Sequence, residues 1–259
     1  MMTLRPRLIP CLLLKNGALF KTVNFKDPKY VGDPLNAVKI FNEKEVDELI
    51  ILDIDASRLK IPPDEDLISK LAAECRMPLC YGGGIKNVEQ IERLIGLGIE
   101  KVAIGSASFQ DTTLIEKAAK RVGSQSIVGV IDVKSIGLFK KKETFILNGT
   151  KNIGLTPEEF AIQLQTMGVG EILLNSIDLD GSMSGYDFEL INIIKNVAKV
   201  PLTVIGGAGS LNDIKKLFQE HHYIGGGAGS LFVFKGKYRA VMINYPSNSE
   251  KDKLIYDSH

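Results

Sequence analysis

With 259 residues, 44% of them hydrophobic and 24% charged, the chain has the composition of an ordinary globular protein that can bury a sizeable core, which excludes wholesale disorder. Thirty-two basic residues against 31 acidic give a net charge of +1, so no bulk field draws the chain to nucleic acid or to an anionic membrane, and any anion must be bound locally. There is no long unbroken apolar run, and the start MMTLRPRLIP lacks the apolar stretch of a secretion signal, so a cytoplasmic protein without membrane contact is expected.

In chain order, short β-branched apolar runs of the kind that form buried parallel strands alternate with segments of helical period. The strand-like runs are LIPCLLL (8–14), ELIILDI (48–54), PLCYGG (78–83), KVAIGS (101–106), SIVGVIDV (126–133), EILLNSI (171–177), PLTVIGG (201–207) and YIGGGAGS (223–230). The second four repeat the first: Glu48 and Glu171, Pro78 and Pro201, Gly83 and Gly206, and Phe109 and Phe232 all stand 123 residues apart. Asp33-Pro34 and Thr156-Pro157 share that spacing and place a capping side chain before a proline at the first helical position. Lys15 and Lys134 align the first strands at 119, so the loop after the fifth strand is four residues longer than the loop after the first.

Two duplicated (βα)₄ halves predict one (β/α)₈ TIM barrel over residues 1–245 rather than an open doubly wound sheet, which has no reason to repeat four units. After the last strand the sequence predicts only a short eighth helix, and residues 246–259 read as a loose polar tail. Cys11, Cys75 and Cys80 lack CxxC spacing and read as free thiols, so neither disulfide, metal nor other cofactor is expected. His221, His222 and His259 suggest no chemistry.

In such a barrel the C-terminal ends of the strands carry the site. Gly83-Gly84 with Gly105-Ser106, and Gly206-Gly207 with Gly229-Ser230, form two glycine-rich turns on adjacent strand pairs, suited to the two phosphates of an elongated bisphosphate. Carboxylates at the mouth are Asp53, Asp55, Asp132, Asp178 and Asp180. Asp132, inside the apolar run IVGVIDVK, is the best general acid or base unless Lys134 or Lys15 pairs with it. Its partner by repeat, Leu13, cannot transfer a proton. At the opposite face the strand starts carry Arg7, Glu48, Lys101 and Glu171, an alternating set that plugs the barrel, gates it, or merely caps the strands.

IPCLLLKNG, NFKDPKYVGDP, DELIILDIDAS, YGGGI, KVAIGSA, GVIDVK, GVGEILLNSIDLDGSMSGYD and IGGAGS together resemble the cyclase subunit of imidazole glycerol phosphate synthase, a lyase of histidine biosynthesis. The likeness spans about residues 4–234. It implies a heterodimer with a glutaminase docked on the N-terminal face, ammonia passing a gate of Arg7, Glu48, Lys101 and Glu171, and a bisphosphate aminoimidazole substrate. It implies phosphate contacts at the glycine turns and at Asp180-Gly181, and catalysis by Asp132. Leu13 stands where the family has its other catalytic aspartate, Gly105 where it has asparagine, and Asn175 where it has threonine. The chain is also similar to a branch of relatives in surface-polysaccharide pathways, which with a glutaminase would feed ammonia to a third enzyme that amidinates a sugar. A phosphosugar isomerase barrel is the remaining alternative, and it needs no gate.

Overall fold

The computed structural model describes residues 5–256. Eight parallel strands close into a barrel: β1 (Arg7–Lys15), β2 (Leu49–Asp53), β3 (Leu79–Gly82), β4 (Lys101–Ile104), β5 (Ile127–Ile136), β6 (Glu171–Ser176), β7 (Leu202–Ile205) and β8 (Gly225–Ala228). Each pairs with the next, and β8 returns to β1, with Arg7 opposite Gly225. The expected (β/α)₈ fold is thus the observed one.

Duplication is visible in the helix starts. Asp33 and Thr156 each accept a hydrogen bond from the backbone of the residue three further on and are followed by proline. Asp64 and Asp187 cap the helices after β2 and β6, and Asn87 and Ser210 cap those after β3 and β7, again at a spacing of 123 residues. Two nested cores result. Leu8, Phe41, Leu79, Phe160 and Phe218 belong to the layer between strands and helices, whereas Ile9, Leu13, Ile50, Cys80, Val128 and Leu173 fill the barrel interior.

The glycine-rich β8 has a packing reason. A Cβ on Gly225 would stand 2.1 Å from Thr203 Oγ1, one on Gly227 2.3 Å from Ile205 Cγ2, and one on Gly229 2.9 Å from Lys21 Cε. The inward face of β8 therefore carries no side chains, and neighbouring ones occupy its space. Gly225→Ala should push Thr203 out of place and cost about 2 kcal/mol of overpacking, read as a lower denaturant midpoint with unchanged slope. An unchanged midpoint would show that the space is slack.

The C-terminal segment departs from expectation. Instead of a loose tail, residues Asn248–Tyr256 form a helix against the one at Leu211–Glu220, with Leu254 and Ile255 buried. Lys251, only 4% exposed, reaches Asp47 at 2.8 Å, and Asp47 also accepts from the Leu8 amide at 3.0 Å. Tyr245 donates its hydroxyl hydrogen to the Leu8 carbonyl at 2.8 Å. The polar sequence hides this docking because one of its inward positions is a lysine whose charge is matched only from the loop before β2. Residues 257–259, with His259, and residues 1–4 lie outside the described part of the chain.

Candidate functional site

Beyond the C-terminal ends of the strands lies a cavity of about 120 Å³, lined by Leu13, Leu52, Val130, Asp132, Asn175 and Asp180 among others. Gly83, Gly105, Ser106, Gly206 and Gly229 also line it, so members of both predicted glycine turns face one space. Gly84, Gly181, Gly207 and Ser230 do not line it themselves but each follows a lining residue in the chain. Gly207 has φ +110°, and a Cβ there would fall 2.0 Å from the Gly185 carbonyl oxygen, so only glycine lets the two loops meet. Gly84 donates its amide to Ser57 Oγ at 3.3 Å, and Ser106 Oγ accepts from the Leu147 amide at 2.9 Å. The buried Ser230 hydroxyl has no partner within the protein.

The mouth carboxylates divide sharply by what they touch. Asp55 is tied to Lys15 and Arg58, both at 3.0 Å, and Asp178 accepts from the Ser135 amide at 2.7 Å. Asp53 caps Ala56 at 3.2 Å, and burial raises its pKa. Asp180 is held by Lys21 at 2.5 Å and Thr22 at 2.8 Å. Asp132 has no cation. Lys15 is on Asp55 and the Lys134 ammonium lies over the Phe145 ring at 5.8 Å, so the alternative of a lysine-paired Asp132 falls away. Its contact is Asn175, its register partner on β6, which donates Nδ2–H to Oδ1 at 2.9 Å. Burial pushes the Asp132 carboxyl up to about 7, against the Asn175 hydrogen bond, which lowers it, and with the Asp180 charge, which raises it. A carboxyl poised there can give or take a proton near neutral pH.

Lys21, like Thr22, Phe25 and Asn148, lines the mouth without being singled out by any sequence motif. It belongs to a hairpin after β1, strands Ala18–Val23 and Lys26–Gly32, that folds across the opening and rests on Gly181, where a Cβ would fall 2.2 Å from the Thr22 carbonyl oxygen. The one signal was a lone lysine within ALFKTV.

At the opposite end, Arg7, Glu48, Lys101 and Glu171 form a closed ring. Arg7 bonds Glu48 and, at 2.7 Å, Glu171; Lys101 bonds Glu48 at 2.9 Å and Glu171 at 2.8 Å. Burial alone would lower the pKa of both bases, but Glu171 and Glu48 together raise it, and Glu171 is held low by Arg7 and Lys101 against its own burial. Thr203, not foreseen, is a fifth member: it donates to Glu171 at 2.6 Å and accepts from Arg7 at 3.1 Å. Among the described residues no group of histidine, cysteine and carboxylate side chains could hold a metal ion, and no helix is long and apolar enough to cross a membrane.

Charged ring below, apolar interior between, and an acid-bearing mouth above define a (β/α)₈ barrel of the enzyme type, with its chemistry at the C-terminal face. Residues 7–239 match the family model described as "Histidine biosynthesis protein". Over 252 residues the chain is 58% identical to a Vibrio vulnificus protein named "Putative imidazole glycerol phosphate synthase subunit hisF3", covering 97% of each chain. It is 51% identical over 253 residues to a Leptospira interrogans protein named "Putative imidazole glycerol phosphate synthase subunit HisF", covering 98% of this chain and 100% of that one. Against "Imidazole glycerol phosphate synthase subunit HisF" of Lactococcus lactis subsp. cremoris, identity is 38% over 217 residues, 84% of each chain. The chain belongs to the histidine biosynthesis family, among the HisF-type subunits of imidazole glycerol phosphate synthase.

Proposed function

We propose that this chain is the barrel subunit of a glutamine-dependent synthase, in which ammonia from a partner glutaminase enters through the Arg7–Glu48–Lys101–Glu171 ring and emerges at the Asp132 mouth. The observation that carries this reading is the ring. Desolvated ion pairs are close to neutral in stability, so four of them closing the N-terminal end are poorly explained as a device for folding. Two bases shared between two acids can open by swinging one side chain while each charge keeps a partner. Beyond it, Ile9, Ile50, Cys80 and Leu173 make an apolar interior that favours neutral ammonia over ammonium.

At the mouth a bisphosphate aminoimidazole fits the two glycine turns, Gly83, Gly84, Gly105 and Ser106 on one side and Gly206, Gly207, Gly229 and Ser230 on the other, with Asp180 and Gly181 between them. Cyclase chemistry on it asks for two proton-transfer groups. Asp132 supplies one; Leu13 cannot supply the other, so this barrel is a slow cyclase. That same Leu13 favours a second reading, in which the ammonia is passed on to a third enzyme that amidinates a sugar.

Mixed with a cognate glutaminase, the full chain should elute as a heterodimer and bury a standard interface of about 1,600 Å². Separate elution, with no heat of binding in calorimetry, would remove the basis for ammonia transfer.

A further inference from the structure

Resting on that reading, we propose that Asn175 and Asp132 together form a binding site for ammonia at the exit of the barrel interior. Asn175 is 5% exposed, and its two amide ends have different fates. The Nδ2 end is committed to Asp132 Oδ1 at 2.9 Å, whereas Oδ1 is buried with no partner in the protein. A buried amide oxygen without a donor is uncommon and points to a missing ligand. Gly206 keeps its approach open, since a Cβ there would stand 3.2 Å from that oxygen. The same cavity is lined by Leu13, Leu52 and Val130 and also by Lys21, Thr22 and Asn148, none of which bonds Asn175 Oδ1.

The ligand must therefore be small, bring a hydrogen-bond donor for Asn175 Oδ1, and share a proton with a carboxyl. Ammonia does all three. As neutral ammonia it donates one N–H to Asn175 and accepts the carboxyl proton of Asp132 in a hydrogen bond. If that proton moves from the carboxyl oxygen to nitrogen, the products are ammonium and carboxylate, and ammonium then donates to both partners. With Leu13 in place of a second carboxylate and Asp180 held by Lys21, Asp132 is the one carboxyl bonded to Asn175, which holds ammonia without trapping ammonium between two anions.

The test uses the full chain with ¹⁵N-labelled asparagine, following the Asn175 side-chain NH₂ signals, identified by their loss in Asn175→Thr. Ammonium chloride should shift them saturably at pH 7, whereas sodium chloride and tetramethylammonium chloride at equal ionic strength should not. Methylammonium, the probe for an amino group on a larger compound, should bind more weakly than ammonium. Asp132→Asn should weaken the ammonium response at least about tenfold, the loss of one charge-assisted hydrogen bond. Signals that do not move, move equally with sodium, or prefer methylammonium would overturn the proposal. Because no partner is present, such a result leaves the glutaminase complex to its own test.

Discussion

Replacing Asp132 by asparagine is expected to leave stability at pH 4 nearly unchanged and to raise it by about 4 kcal/mol at pH 8. In the fold the carboxyl sits at about 7, against 3.8 as its ordinary value. Between those values the folded chain holds a proton that the unfolded chain has released. Stability from this group is therefore complete below the ordinary value and is lost as pH rises through about 7, at roughly 1.4 kcal/mol per pH unit. Glu171, held low, acts in the opposite direction at acid pH, so the informative quantity is the difference between parent and variant. Asparagine has nearly the same shape, and its side-chain oxygen keeps the Asn175 bond. Guanidinium unfolding of both proteins from pH 4 to 8 should give curves that diverge with pH, and parallel curves would mean that Asp132 is ionised throughout.

The fold was open to reading because its cues are local and repeated. Strand runs, helix caps and glycine turns recur at one spacing, and no distant contact is needed to see them. The further cap pairs Asp64 and Asp187, Asn87 and Ser210, lay at the same spacing and were there to be found. What stayed hidden depends on register. Thr203 joins the charged ring only because β8 is bare glycine beside it, and Lys21 enters the mouth only because its hairpin folds inward. Asn175 stood out as a departure from the family, but its pairing with Asp132 required knowing that β5 and β6 align those two residues. The docked C-terminal helix was illegible for a similar reason, since Lys251 counts as polar until Asp47 is placed opposite it.

Leu13→Asp is expected to raise ammonia-dependent turnover of the bisphosphate aminoimidazole by at least about tenfold, a modest share of the 10²–10⁴ that one acid–base group supplies. Leu13 is 8% exposed and lines the same cavity as Asp132, so the new carboxylate would enter the space where the substrate reacts. The gain should vanish when Asp132→Asn is added, because the chemistry needs both groups. A carboxylate in a site shaped for leucine must be hydrated or protonated, so folding is checked first by circular dichroism and thermal melting. Folded Leu13→Asp protein no faster than the parent would show that Gly105, Asn175 and the glycines of β8 shape a mouth for another acceptor. The barrel would then be an ammonia conduit alone.

The passage of ammonia through the charged ring stands or falls on where the glutaminase sits. Hydrogen–deuterium exchange of the chain, alone and in the complex, locates that face directly. Protection is expected at the strand starts and beside them, at residues 5–8, 45–48, 98–101 and 125–126 and in the helix Asn248–Tyr256, which with Arg5, Arg7 and Asp47 borders a groove next to the ring. The hairpins at the mouth, residues 18–32 and 134–146, should exchange as they do in the free chain. Protection of those hairpins with the ring face left open would contradict the account.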